Sequence, residues 1–156
     1  MYKRQPLSAL TISSYVIDTV TSDNNAIYIV NKDNAIIAYR QQTMQPEWVT
    51  DFNAPIVKIV NTDSYLCVES TDKTLTCLHK SSGKRAWETY MKQTAFMTIH
   101  NQALYCAVDN VLYTFSVSSG ELISKIQYPD ALIGFQKNHN TLILNSEQGL
   151  LYTLDL

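Results

Sequence analysis

The amino-acid sequence predicts an all-β chain of short antiparallel strands. From about Leu7 onward apolar residues come in alternating bursts, such as Ile27 and Ile29 or Ala35, Ile37 and Tyr39, broken by clusters of Asn, Asp, Ser and Gly. Period two with turn punctuation is the pattern of antiparallel strands. No window carries an i, i+3, i+4, i+7 apolar stripe of helical length with a cap at its start, so helix is expected to be nearly absent. Tyr, Val, Ile and Thr are plentiful while Gly and Pro number 4 each, which also favours strands.

The strands follow in a repeat. Residues 7–13 read as an outer strand and 15–21 as an inner one. The first full unit then runs through 26–30, a turn at 31–34, 35–39, and 46–49. The second runs through 65–68, a turn at 69–73, 74–78, and 85–88; the third through 104–107, a turn at 108–110, 111–115, and 122–125. A partial unit follows at 142–144 and 150–154. Tyr39, Leu78, Phe115 and Leu154, which close the equivalent strand, are spaced by 39, 37 and 39 residues. That is the length of one four-stranded propeller blade. Further apolar bursts at 56–60, 95–99 and 131–135 supply the innermost strand of each next unit. Both alternate positions of the inner strands are often apolar, because a lone blade exposes two faces that only stacked neighbours cover. The expected architecture is therefore a β-propeller of about four such repeats, forming either a closed four-blade ring or part of a seven- or eight-blade one.

Within this period lies a recurring motif. The stretch Thr76-Cys77-Leu78-His79-Lys80-Ser81-Ser82-Gly83-Lys84-Arg85-Ala86-Trp87 resembles the tryptophan-docking repeat of quinoprotein-like (PQQ-like) propellers, whose pattern is roughly Ala-x-Asp-x-x-Thr-Gly-x-x-x-Trp. Ser82, Gly83 and Trp87 match or nearly match, with Cys77 in place of the Ala and His79 in place of the Asp. In the preceding repeat Ala38, Thr43 and Trp48 match while Arg40 and Met44 depart; in the following one Ser119 and Gly120 fit the turn but Ser124 replaces the Trp. The last repeat keeps only Asp155. Propellers of the WD type are less similar, since no Gly-His pair opens a unit and no Trp-Asp pair closes one. In physical terms the motif is a turn and an anchor. Gly83 and Gly120 fall where positive φ is cheap, Ser82 or Thr43 can hydrogen-bond the turn, and Trp48 and Trp87 are expected to bury their rings over a neighbouring blade.

Catalytic constellations are not legible. Cys67, Cys77 and Cys106 lack a Cys-x-x-Cys spacing and fall inside predicted strands, where a free cysteine is a small buried hydrophobe. If the hairpin turn is centred near Asp72, Cys67 and Cys77 face each other across two strands, and a cross-strand disulfide is the alternative in an oxidising compartment. His79, His100 and His139 have no partner at metal spacing and are expected to be solvated, so no metal site is predicted. Asp18, Asp51, Asp63, Asp72, Asp109 and Asp130 fall at strand ends and turns, where Asp caps backbone groups. The run Lys80, Lys84, Arg85 is expected to be a solvated loop. With 17% charged residues and a net charge of −2, the chain lacks the basic footprint of a nucleic-acid or anionic-membrane binder. Its apolar runs are too short for a spanning helix.

The reading that results is a non-catalytic scaffold without cofactor that binds protein partners. The resemblance implies this role, because members of the family without quinone-holding residues act as scaffolds in multi-protein assemblies. Its alternative is a fragment of a quinone-dependent dehydrogenase; that reading needs an adjacent-cysteine pair, a calcium-binding acidic set and a catalytic Asp, none of which maps here. The candidate contact surface is the set of loops between second and third strands: Lys32, Asp33, Asn34; Thr71, Asp72, Lys73; Asp109, Asn110; and Glu147, Gln148. Met1-Tyr2-Lys3-Arg4-Gln5 looks like the translation of ATG-TAT-AAG-AGA-CAG, which resembles the end sequence attached in transposon-based library preparation. Residues 1–5 are accordingly set aside as non-native, and 6–156 are read as the propeller portion, with native sequence expected upstream. An open half ring would expose two blade faces and self-associate through them.

Overall fold

The computed structural model describes residues 20–156, which form fifteen strands and no helix. Residues 1–5, the expected outer strand at 7–13 and most of the inner strand at 15–21 lie outside the described residues. The chain divides into two compact units, residues 1–52 and 53–156.

In the first unit β1 (Val20–Ser22), β2 (Ala26–Val30), β3 (Ala35–Arg40) and β4 (Pro46–Asp51) form one antiparallel sheet in chain order. The two middle strands are buried on both faces, whereas β4 alternates. Ile29, Ile37 and Tyr39 form a buried cluster against which Ile27 packs.

The second unit repeats the meander. β5 (Ile56–Asn61), β6 (Tyr65–Ser70), β7 (Thr74–His79) and β8 (Arg85–Tyr90) make one sheet; β9 (Phe96–His100), β10 (Ala103–Val108), β11 (Val111–Ser116) and β12 (Leu122–Gln127) make the next. β13 (Leu132–Asn138), β14 (Thr141–Ser146) and β15 (Leu151–Asp155) give a sheet of three strands among the described residues. Every sheet is a consecutive antiparallel meander with the strand order of a propeller blade.

Burial explains why the sequence pattern is periodic. Cys67, Leu75, Cys77, Met97, Leu104, Cys106, Phe115 and Val117 form one core cluster that joins the sheets β5–β8 and β9–β12. Phe96, Tyr105, Ala107, Leu112, Leu132, Leu142 and Leu144 form another that joins β9–β12 to β13–β15. A fully buried Leu contributes about 1.5–3 kcal/mol by leaving water, so the apolar second and third strands hold adjacent blades together.

The strands lie within a few residues of their expected positions, with three local corrections. Glu69 and Val108, read as turn residues, are the buried ends of β6 and β10. Lys80, read as solvated, is buried with its ammonium on the Thr62 carbonyl at 2.6 Å. Cys67 and Cys77 are directly paired across β6 and β7 and joined by a disulfide, Cα atoms 4.1 Å apart, so only Cys106 is a free buried thiol.

Candidate functional site

Each blade has two chemically different ends. At one end lie the hairpins between third and fourth strands, which share a backbone geometry. The nitrogens of Met44, Gly83 and Gly120 donate to the carbonyls of Arg40, His79 and Ser116, at 2.8, 2.8 and 2.9 Å. All three turn residues have left-handed φ: 55° at Met44, 68° at Gly83 and 73° at Gly120. Met44 therefore occupies the glycine position of the motif without being glycine. The first residue of each hairpin, Gln41, Lys80 or Val117, donates to Asn25, Ser64 or Gln102 in the first-to-second-strand turn of its own blade, at 2.9 Å in each case.

Of the motif residues, Ala38 is fully buried and pairs with Trp48 across β3 and β4, and Cys77 pairs with Trp87 in the equivalent place. The Trp48 ring meets Tyr28 at 5.8 Å. The Trp87 ring reaches the next blade: its indole N–H donates to the Val117 carbonyl at 2.6 Å, and a Cβ built at Gly120 would lie 2.7 Å from its Cδ2. In the third repeat Ser124, which stands where tryptophan is missing, donates to the Thr114 hydroxyl at 3.0 Å. Ser82 and Ser119 are exposed and accept from the backbone N–H of Lys84 and Glu121 at 3.4 and 3.3 Å; Thr43 is exposed in its hairpin.

At the opposite end lie the loops between second and third strands. Lys32, Asp33, Thr71, Asp72, Lys73, Asp109, Glu147 and Gln148 are exposed there, while Asn34 and Asn110 are half-buried. Their backbones are fastened down. Phe52, Met91 and Tyr128, each just past a fourth strand, donate to the carbonyls of Asn34, Lys73 and Asn110 at 3.0, 2.8 and 2.8 Å. Asn34, Lys73, Asp109 and Gly149 take left-handed φ, and the Asn110 amide donates to the Tyr128 carbonyl at 2.8 Å. In each blade these polar side chains stand on hydrogen-bonded turns, the usual place for recognition on a β scaffold.

A buried charged clamp that the sequence reading missed ties the base of the 71–73 loop to the segment that leads into β9. The Glu69 carboxylate accepts the Thr94 N–H at 2.5 Å, the Thr94 hydroxyl at 2.8 Å and the Lys58 ammonium at 3.1 Å, and Lys58 also donates to the Thr94 carbonyl at 2.5 Å. Glu69 is 2% exposed, so the network is a fully paired buried carboxylate. Its available signal was a lone Lys inside the run 56–60 and a lone Glu directly after the run 65–68. Beside it burial, with the Glu69 charge adding to the effect, pushes the Cys106 thiol well above its ordinary pKa, which makes it a poor nucleophile.

The His79 ring lies tilted against Tyr65 with centroids 5.1 Å apart, His100 is half-buried, and His139 is exposed beside Asn138. Among the described residues no group of three or more His, Cys, Asp or Glu is arranged to hold a metal ion, and no helix is long and apolar enough to cross a membrane.

Stacked meander blades with PQQ-like repeats define a module of the quinoprotein-like β-propeller class. More narrowly, the chain belongs to the family described as outer membrane protein assembly factor BamB, whose model matches residues 11–125. No curated protein sequence matches the chain. Among solved structures it is similar to BamB from Moraxella catarrhalis, with a TM-score of 0.74 and 17% identity over 88% of this chain and 42% of that one. The computationally designed Ika4 protein superposes with a TM-score of 0.78 at 14% identity, covering 99% of both chains. BBS1N, crystallised in complex with ARL6DN, gives a TM-score of 0.68 at 16% identity over 86% of this chain and 44% of that one. At these identities the likeness is one of fold, and the chain spans less than half the length of the BamB structure.

Proposed function

We propose that the chain is a non-catalytic propeller module for protein assembly that holds partners on the loops between the second and third strands of its blades. The observation that carries the reading is the family match over 11–125, whose description names assembly of outer-membrane proteins. The loop geometry supports it: exposed Lys32, Asp33, Thr71, Asp72, Lys73 and Asp109 stand on turns hydrogen-bonded to the residue just past the fourth strand, and on the last loop, with exposed Glu147 and Gln148, the Glu147 N–H donates to the Ala131 carbonyl. Side chains held on such turns lose little conformational freedom when a partner docks. Asn34 and Asn110 build the turns and contribute shape rather than exposed contact.

The test is site-specific photocrosslinking. A crosslinking residue placed at Asp72, Asp109 or Glu147 is expected to trap partner proteins in a bacterial envelope fraction, whereas one at Ser82 or Ser119, at the other blade end, is expected to trap none. Equal crosslinking from both ends would overturn the assignment of the surface. A quinone absorbance band with a raised Tm on adding pyrroloquinoline quinone and calcium would overturn the non-catalytic reading, since a bound cofactor stabilises the fold by mass action.

A further inference from the structure

A cleft of about 310 Å³ opens between the outer strand β8 and the adjacent blade. One wall is Tyr90, Met91 and Lys92; the other is Tyr113, Phe115 and Leu122. Phe115 is its buried floor, whereas Tyr90 and Leu122 form a rim that is 71% and 49% exposed. Single exposed apolar residues need no explanation, but an aromatic and an aliphatic one on the rim of one cleft with an apolar floor do. Blade docking does not need them, because Trp87 already supplies the bridge to the neighbouring blade. The volume is at the lower end of ligand-sized cavities and suits one large side chain.

The surroundings set the chemistry of the occupant. The Lys125 ammonium lies 5.4 Å from the centre of the Tyr113 ring and has no carboxylate within ion-pair distance among the described residues. Lys92 is paired with Asp109 at 2.6 Å, but both are mostly solvent-exposed at 66% and 62%, so this pair is weak and opens readily. β8 is the last strand of its sheet and its outer edge pairs with no other described strand, which leaves backbone groups available for an added extended segment.

We propose that this cleft binds an extended peptide segment of a partner protein, taking one large apolar side chain between Tyr90 and Leu122 while a neighbouring carboxylate of the peptide pairs with Lys125. The apolar anchor supplies affinity and the charge selects sequence. The inference rests on the reading of the chain as a partner-binding module, and of the loop residues assigned above it touches only Asp109, through its pair with Lys92.

The probe is a library of phage-displayed random heptapeptides selected on the purified chain, followed by fluorescence polarisation with an enriched peptide. Enriched sequences are expected to place Phe, Trp, Leu or Ile one or two positions from Asp or Glu. Leu122→Asp is expected to weaken that peptide at least about tenfold, and Lys125→Glu to switch the selected acid to Lys or Arg, as charge-determined specificity requires. Both positions are on outer strand β12, and an unchanged Tm for each variant keeps misfolding apart from lost binding. No enrichment, enrichment without the acid, or binding indifferent to Leu122→Asp would overturn the proposal. So would concentration-dependent dimerisation abolished by Leu122→Asp, which would make a second copy the occupant. A combined Asp72→Lys, Lys73→Glu variant serves as the reference. Peptide binding that survives it while loop crosslinks vanish separates the cleft from the loop surface, and loop crosslinks without peptide binding leave only the loop surface.

Discussion

The contact of Trp87 with Gly120 lends itself to a quantitative cycle. Gly120→Ala meets two obstacles in the folded chain. Its φ of 73° is left-handed, which costs a residue with a Cβ about 1–2 kcal/mol. The new Cβ would also lie 2.7 Å from Cδ2 and 2.8 Å from Cγ of Trp87. These are atoms at the base of a ring fixed by its hydrogen bond to the Val117 carbonyl, so relief requires displacing the whole indole at about 1–3 kcal/mol more. Gly120→Ala alone should then cost about 2–5 kcal/mol. Trp87→Ala removes the ring and leaves the Val117 carbonyl without its donor, a loss of about 3–5 kcal/mol. In the Trp87→Ala background the steric part of Gly120→Ala disappears and only the backbone strain of about 1–2 kcal/mol remains. Urea denaturation of the four proteins measures the coupling, expected at about 1–3 kcal/mol in the direction that makes the double variant better than the sum. Additivity within about 0.5 kcal/mol would refute the reasoning and make Trp87 an anchor of its own blade only.

Other perturbations have equally definite outcomes. Met44→Gly should stabilise the first unit by about 0.5–1 kcal/mol, because Met44 holds a left-handed φ of 55° at the position where Gly83 and Gly120 stand; a fall in the denaturation midpoint would refute this. Reducing the Cys67–Cys77 bond, which closes a loop with a sequence separation of 10, should cost about 2–3 kcal/mol by releasing the unfolded chain; identical melting with and without reductant, the reduction being verified by mass, would be the contrary result. Alkali should unfold the protein. Burial raises the hydroxyl pKa of Tyr28, Tyr105, Tyr128 and Tyr152, with the charge of Asp23 added at Tyr28 and a hydrogen bond to Asp130 at Tyr152, and it raises the Cys106 thiol. The fold keeps these protons longer than the unfolded chain does, so their contribution is complete below the ordinary values near 9–10 and is lost as pH rises beyond them. The last part of the rise in tyrosinate absorbance at 295 nm should therefore coincide with loss of β circular dichroism, and completion of that rise well before unfolding would contradict the burial argument.

The fold was readable because its two signals are redundant. Ala26–Val30, Ala35–Arg40 and their counterparts are apolar at successive positions because both faces of these middle strands are buried, and the spacing of Tyr39, Leu78, Phe115 and Leu154 repeats the unit. Turn chemistry was less readable. Met44 adopts the backbone of Gly83 although no propensity suggests it, because the hydrogen bond from its nitrogen to the Arg40 carbonyl and the flanking strands impose the conformation. Long-range pairing was not readable at all. Glu69 looked like a turn residue, and its value as an anchor depends on Thr94, 25 positions away, and Lys58, 11 positions back. A single sequence gives no reason to join those three. The pairing of Cys67 with Cys77 lay between these cases: strand register allowed it, but burial alone fits free thiols equally well.

This division follows from how a propeller uses its residues. The second and third strands bury their side chains against neighbouring blades, as the clusters around Cys67 and Cys106 and around Phe96 and Leu144 do. Even the polar network of Lys58, Glu69 and Thr94 is consumed in holding the β5–β8 sheet to the segment that leads into β9. The residues left to meet a partner are those on turns and outer strands, where packing sets few constraints: Asp72 and Lys73 on one loop, Asp109 on the next, Tyr90 and Leu122 at the cleft between two blades. Because Asp109 is also the ion-pair partner of Lys92 at the cleft wall, the loop surface and the cleft share an edge. If the proposed peptide also drew Lys92 away, Asp109 would be released for a second contact, and the two proposed surfaces would then bind as one, with an affinity that neither reaches alone.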